Sequence, residues 1–117
     1  MTISEMKGPH DFSAERIDEV VTTTSAGNYA LGYVKDGTFV VRYVGRSDSN
    51  VKKELKSKLD PKYKKFKFSY ATSPKGAFDE ECHNYHDCGR SDNLDNKVHP
   101  DRPAGTGWRC PVCGIYD

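Results

Sequence analysis

Long apolar runs are missing from this chain. No stretch approaches the roughly 20 consecutive apolar residues that a membrane-spanning helix needs. The opening residues MTISEMKGPHD are polar and broken by Gly8 and Pro9, unlike a secretory leader. Hydrophobic residues make up 35% of the 117, against 30% charged, so any core is small and the surface very polar. An excess of one charge sign is also absent: the formal net charge of +1 selects no partner by itself. Cysteine is scarce, with four in all, and two of them form a CxxC pair with histidines nearby. In a cytoplasmic (soluble, intracellular) chain, which is the expectation here, that pattern favours a metal over a structural disulfide. The length fits one domain, residues 1–117, and a chain this small often needs a staple.

The charge that is present is unevenly placed. Residues 51–67 carry eight lysines against Glu54 and Asp60, whereas 79–101 carry seven acids against Arg90 and Lys97. The basic stretch can attract a phosphate backbone, with Lys52, Lys53, Lys56, Lys64 and Lys65 as the candidate contacts. The competing reading is a solvated helix face and loop.

Residues 1–11 read as frayed. A short helix follows, capped by Asp11 or Ser13, with Phe12, Ile17, Val20 and Val21 at helical spacing. Segments 28–34 and 39–44 are rich in strand formers and flank Asp36-Gly37, a pair suited to the positive φ angles of a tight hairpin. A turn centred on Asp36 sets Tyr29 opposite Tyr43, with both phenols on one face. Val51, Leu55 and Leu59 predict a helix over 49–59, capped by Ser47 or Ser49. Alternating Phe66, Phe68 and Tyr70 predict a third strand, and Ser73-Pro74 opens a second main helix running to about Asp87. The expected fold is α/β: a small mixed sheet of about three strands, an N-terminal hairpin and flanking helices over 12–88. A loop-like tail, 89–117, follows and has almost no core residues of its own.

That tail needs a fastening. Cys110-Pro-Val-Cys113-Gly114 is a knuckle whose two thiols reach one tetrahedral ion, the glycine permitting the turn behind them. At about 100° per residue, Cys82 and His86 share one face of the last helix. Cys82, His86, Cys110 and Cys113 are therefore the favoured ligands of a structural zinc. If the helix frays early, Cys88 replaces His86 in a four-cysteine site. Trp108 is expected to pack on the zinc site, and His10 and His99 read as loop histidines. The same wheel puts Glu81 in the middle of an apolar face formed by Ala77, Phe78, Tyr85 and Cys88. A carboxylate there is costly unless a cation or donor meets it.

Gly27-Asn28-Tyr29 followed by Tyr43-Val44-Gly45-Arg46 resembles the two halves of the GIY-YIG nuclease signature. The hairpin, the helix after the second glycine, the third strand and the helix bearing Glu81 extend the likeness over roughly 12–100, with the zinc tail as an appendage. The resemblance implies a DNA endonuclease in which Glu81 holds one Mg²⁺ or Mn²⁺ against the scissile phosphate. It makes Tyr29 the general base, a role that requires cations to lower the phenol's pKa. Tyr43 would help orient the site, and Arg46 or Lys53 could reach the phosphate in place of the family's arginine. Where the family carries an arginine before a leucine, this chain has Glu54 before Leu55. The family's late asparagine would be Asn96. The alternative reading is a non-catalytic nucleic-acid-binding module that keeps the fold without the active-site arginine.

Overall fold

The computed structural model of the chain describes residues 3–96, 99–100 and 106–112. Its elements run β1 (Lys7–Asp11), α1 (Ala14–Val20), β2 (Gly27–Lys35), β3 (Thr38–Ser47), α2 (Val51–Ser57), β4 (Lys65–Tyr70) and α3 (Pro74–Asp87). Short 3-10 turns lie at Ile3–Glu5 and Arg90–Asp92. The α/β class is as expected, but the sheet has four strands, ordered β1-β4-β2-β3, and every pairing is antiparallel.

Two features explain that difference. The connection from β3 through α2 brings β4 back in the same direction as β3, which predicts a mixed sheet if the two are neighbours. They are not, because β2 lies between them and is antiparallel to both. The fourth strand, β1, comes from the segment read as frayed. Lys-Gly-Pro-His-Asp has no alternating apolar pattern to betray it. It is held instead by pairing with β4 and by the His10 ring, whose centroid lies 5.5 Å from that of Phe66.

Helix starts follow the capping rules. Ser13 accepts from the Arg16 amide, Asn50 from Lys53 and Ser73 from Gly76, with Pro74 next in the first turn of α3. In α2 the cap is Asn50 rather than Ser47 or Ser49; Ser47 Oγ accepts from the Asn50 amide at 2.8 Å. The helix ends at Ser57, short of the expected residue 59, so Leu59 leaves the apolar face and is exposed.

Strand alternation sorts the core into two layers. On one side of the sheet Tyr29, Leu31, Phe66 and Phe68 pack with Ile17 and Val21 of the α1 region, Val51 and Leu55 of α2, and Tyr63. On the other side Ala30 and Val44 meet Tyr85 of α3, with Met6 and Leu94. Each fully buried large apolar side chain contributes about 1.5–3 kcal/mol, so these two small layers carry most of the fold.

The hairpin register corrects one detail. Asp36 and Gly37 take φ of 52° and 77°, closing a two-residue turn with Lys35 opposite Thr38. A bulge then shifts the ladder between Leu31 and Gly32. Tyr29 therefore faces Gly45, and Tyr43 faces Leu31. The turn and the bulge each displace the register by one residue. A one-residue slip flips a side chain across the sheet, and two restore it. Both tyrosines thus still project from the same face.

Candidate functional site

Four elements converge on one cleft of about 240 Å³, lined by Tyr29, Tyr43, Gly45, Arg46, Asp48, Glu54 and Glu81. The Tyr29 and Tyr43 rings are stacked, with centroids 6.4 Å apart and an 18° angle between planes. Tyr29 is almost wholly buried and its ring passes over the residue opposite it. A Cβ added at Gly45 would lie 2.3 Å from the Tyr29 hydroxyl oxygen, so this position has no room for a side chain. Tyr29 Oη donates to Glu54 Oε1 at 3.2 Å.

The buried carboxylate predicted on α3 is there. Glu81 is 8% exposed, and the donor that meets it is Arg46, whose Nη1 donates to Oε1 at 2.5 Å. The Arg46 Nε donates to Asp48 Oδ1 at 3.0 Å, and its guanidinium carbon lies 5.2 Å from the centre of the Phe78 ring. Burial pushes the Glu81 carboxyl up, and the Arg46 charge and hydrogen bond pull against it without cancelling the rise. Burial works against the Arg46 cation in turn, but Glu81 and then Asp48 outweigh it and hold its proton more firmly. For the pair as a whole, mutual neutralisation by a short, charge-assisted bond is what makes the burial tolerable.

Tyr29 goes the other way from the requirement for a phenolate base. Burial raises its pKa far above the ordinary phenol value, and the charges of Glu54 and Tyr43 raise it further. Arg46, the cation of the cleft, spends its hydrogen bonds on Glu81 and Asp48. Glu54, where an arginine was expected, faces the phenol as an acceptor.

The lysine candidates divide. Lys52 and Lys56 both pair with Asp18 of α1, at 3.2 and 2.6 Å, and Lys65 pairs with Asp11. Lys53 and Lys64 are exposed and make no ion pair among the described residues. Asn96 does not reach the cleft. Its Oδ1 accepts from the Val44 amide at 3.0 Å and its Nδ2 donates to the Val44 carbonyl at 2.8 Å, so it pins the outer edge of β3.

A second cluster lies behind α3. The ligand atoms of Cys82, His99 and Cys110 all fall within 4.8 Å of one another, a group that can hold a metal ion. The His86 Nε2 touches it, 3.2 Å from His99 Nε2 and 3.5 Å from Cys110 Sγ. Cys113 lies outside the described residues. Among the described residues Cys88 is not in this group: α3 stays helical to Asp87, and Cys88 caps it and packs toward Met6, Ala30, Val44 and Tyr85. His99, expected to be a loop histidine, belongs to the group instead. The usable signal was that a tail without a core must offer ligands, and His99 is the only histidine in it. The chemistry of the donor set fits a soft or borderline cation. Burial, and then hydrogen bonding to Cys110, push the Cys82 thiol up, so a thiolate here needs a positive partner. Trp108 does pack beside the group, its ring 6.2 Å from that of Phe78, which touches Cys82 and Cys110.

No helix among the described residues is long and apolar enough to cross a membrane. No family model matches the chain, and comparison with curated proteins and with solved structures gives no match either.

Proposed function

We propose that this protein is a GIY-YIG-type endonuclease that hydrolyses DNA phosphodiester bonds at the tyrosine cleft with one divalent metal. The observation that carries this reading is the convergence of Glu81, a buried carboxylate, with Tyr29, Tyr43 and Arg46 on one small opening. A site of this kind supplies one or two carboxylates and leaves the rest of the coordination to water and substrate phosphate, which suits Mg²⁺ or Mn²⁺. When bound, such an ion neutralises phosphate charge and stabilises the leaving oxygen.

The side chains then divide the work. Arg46 is held on two sides and presents the one cation among the cleft's lining residues, so it meets the phosphate as the substrate enters. That contact would compete with the Arg46–Glu81 pair, and Glu81 is the carboxylate that would hold the metal. Tyr43 flanks the opening with Lys58 over its ring at 5.6 Å. Lys53 and Lys64 are available to backbone phosphates. Lys52, Lys56 and Lys65 can exchange their surface acids for them, because exposed pairs are worth only about 0–1 kcal/mol. The group at Cys82, His99 and Cys110, with Cys113 or His86, holds a structural zinc. Its thiolates suit a reducing, cytoplasmic setting.

One observation favours a second reading, a non-catalytic DNA-binding module. Arg46 and Glu81 neutralise each other, and Glu54 rather than an arginine faces Tyr29. Nicking of supercoiled plasmid with Mg²⁺ or Mn²⁺ separates the two. The wild type is expected to cut, and Glu81→Ala to lose about 100-fold or more. Retardation of DNA with no cleavage by either protein would leave the binding module.

A further inference from the structure

Any hydrolysis of a phosphodiester needs a group to take the proton of the attacking water. The side chains that face the opening are Tyr29 from β2, Tyr43, Arg46 and Asp48 from β3 and the turn after it, Glu54 from α2 and Glu81 from α3. Arg46 is a cation, Asp48 is tied to it, and Glu81 is the carboxylate that the nuclease reading assigns to the divalent metal. The phenol of Tyr29 is a donor, its proton directed at Glu54. Its pKa lies far above the phenol range because of burial and then the Glu54 charge. A phenol so placed keeps its proton. A carboxylate is an acceptor at neutral pH without help from cations.

We propose that Glu54 is the general base of this cleft, with Tyr29 as the positioning residue that fixes its carboxylate. The assignment rests on the nuclease reading above. Glu54 is half-buried, with Oε1 held by Tyr29 at 3.2 Å and Lys58 at 3.9 Å from the same oxygen. The second oxygen has no hydrogen-bond partner among the described residues. In the step, one water proton passes to the Glu54 carboxylate while the water oxygen bonds to phosphorus. The bond from phosphorus to the leaving oxygen breaks, and that oxygen takes a proton from solvent. Glu54 then returns its proton to solvent through its exposed side. Tyr29 remains neutral throughout. The glutamate at the arginine position is thereby a working replacement rather than a loss.

Plasmid nicking by wild type, Glu54→Gln and Tyr29→Phe, each across pH 5 to 10 and across Mn²⁺ concentration, tests this. Glu54→Gln is expected to lose about 100- to 10,000-fold in rate at saturating metal. Tyr29→Phe should lose far less and keep the wild-type pH profile. The wild-type rate should be flat from pH 7 to 9. A rate that climbs steadily past pH 9 would assign the proton to a phenol or a metal-bound water and overturn the proposal. So would a Glu54→Gln enzyme that cuts normally, or one whose loss is restored by more Mn²⁺, which would make Glu54 a metal ligand. The wild-type profile needs no variant, so a failure of Glu54→Gln to fold does not spare the idea. Wild type that cuts with neither metal removes the nuclease reading and this assignment together.

Discussion

Gly45→Ala is the sharpest test of how the tyrosine cleft is built. The added methyl would sit 2.3 Å from both Cζ and Oη of Tyr29 and 2.8 Å from Cε1. Relief by rotation of a flexible tip is not available, because the atoms in the way belong to a rigid ring that is 1% exposed and stacked on Tyr43. Forcing a methyl into a packed site costs about 1–3 kcal/mol. If the phenol is driven off the Glu54 carboxylate, a charge-assisted hydrogen bond worth about 1.5–3 kcal/mol goes too. The check is a double-mutant cycle read by urea denaturation at constant m. Tyr29→Ala removes the obstacle and leaves a cavity costing about 3–5 kcal/mol. In that background Gly45→Ala should be nearly neutral, a coupling of at least about 1 kcal/mol. Additivity within about 0.5 kcal/mol would refute the idea that Tyr29 is what excludes a side chain at position 45.

If the group at Cys82, His99 and Cys110 holds the proposed ion, its removal should destabilise the fold. An ion present at 100 times its Kd contributes about 2.7 kcal/mol, so chelation should lower Tm, with Cys82→Ala and His99→Ala losing metal by elemental analysis. Cys88→Ala should retain it, and a His99→Ala protein with full metal content would contradict the ligand set. Tyr29 also predicts the alkaline limb. Its folded pKa is raised, so its contribution is complete below the unfolded phenol value of about 10 and declines as pH rises beyond it. Urea midpoints from pH 8 to 11 should therefore fall more steeply for wild type than for Tyr29→Phe, and parallel curves would show that Tyr29 does not govern this limb.

What could be read from the sequence was whatever left a periodic or turn-forming trace. The Asp36-Gly37 turn, the alternation of Phe66, Phe68 and Tyr70, and the four-residue spacing of Val51 and Leu55 all encode position directly. So did Glu81, since a carboxylate among Ala77, Phe78 and Tyr85 on one helical face demands a partner. The partner's identity was not encoded: Arg46 reaches Glu81 only because β3 and α3 pack together across 35 residues of chain. The bulge in β2/β3 left one trace, Gly32: a glycine inside a strand marks a bulge or a close backbone approach, and a Cβ there would run into the Val40 carbonyl. β1 leaves no periodic trace, being an edge strand held by backbone pairing with β4 and by the single His10 ring against Phe66. His99 was missed because a metal ligand in an irregular segment has no period at all.

The placement of the two clusters on one helix argues that the tail is part of the cleft's construction. Glu81 and Cys82 are consecutive, so their side chains leave α3 about 100° apart, one toward Arg46 and one toward Cys110. Phe78 lies beneath both, 5.2 Å from the Arg46 guanidinium on one side and 6.2 Å from the Trp108 ring on the other. Rotation of α3 to suit one cluster would spoil the other. The tail is also fastened at a second place, away from the Cys82, His99 and Cys110 group. Asp95 takes hydrogen bonds from Arg42 at 3.1 Å and Tyr63 at 2.8 Å, and Asn96 mimics a strand against Val44. Val44 sits between Tyr43 and Gly45, the residues that shape the opening. The tail therefore clamps the tyrosine strand from its outer edge and the glutamate helix from behind, and the described cleft exists only where those two elements are held in register.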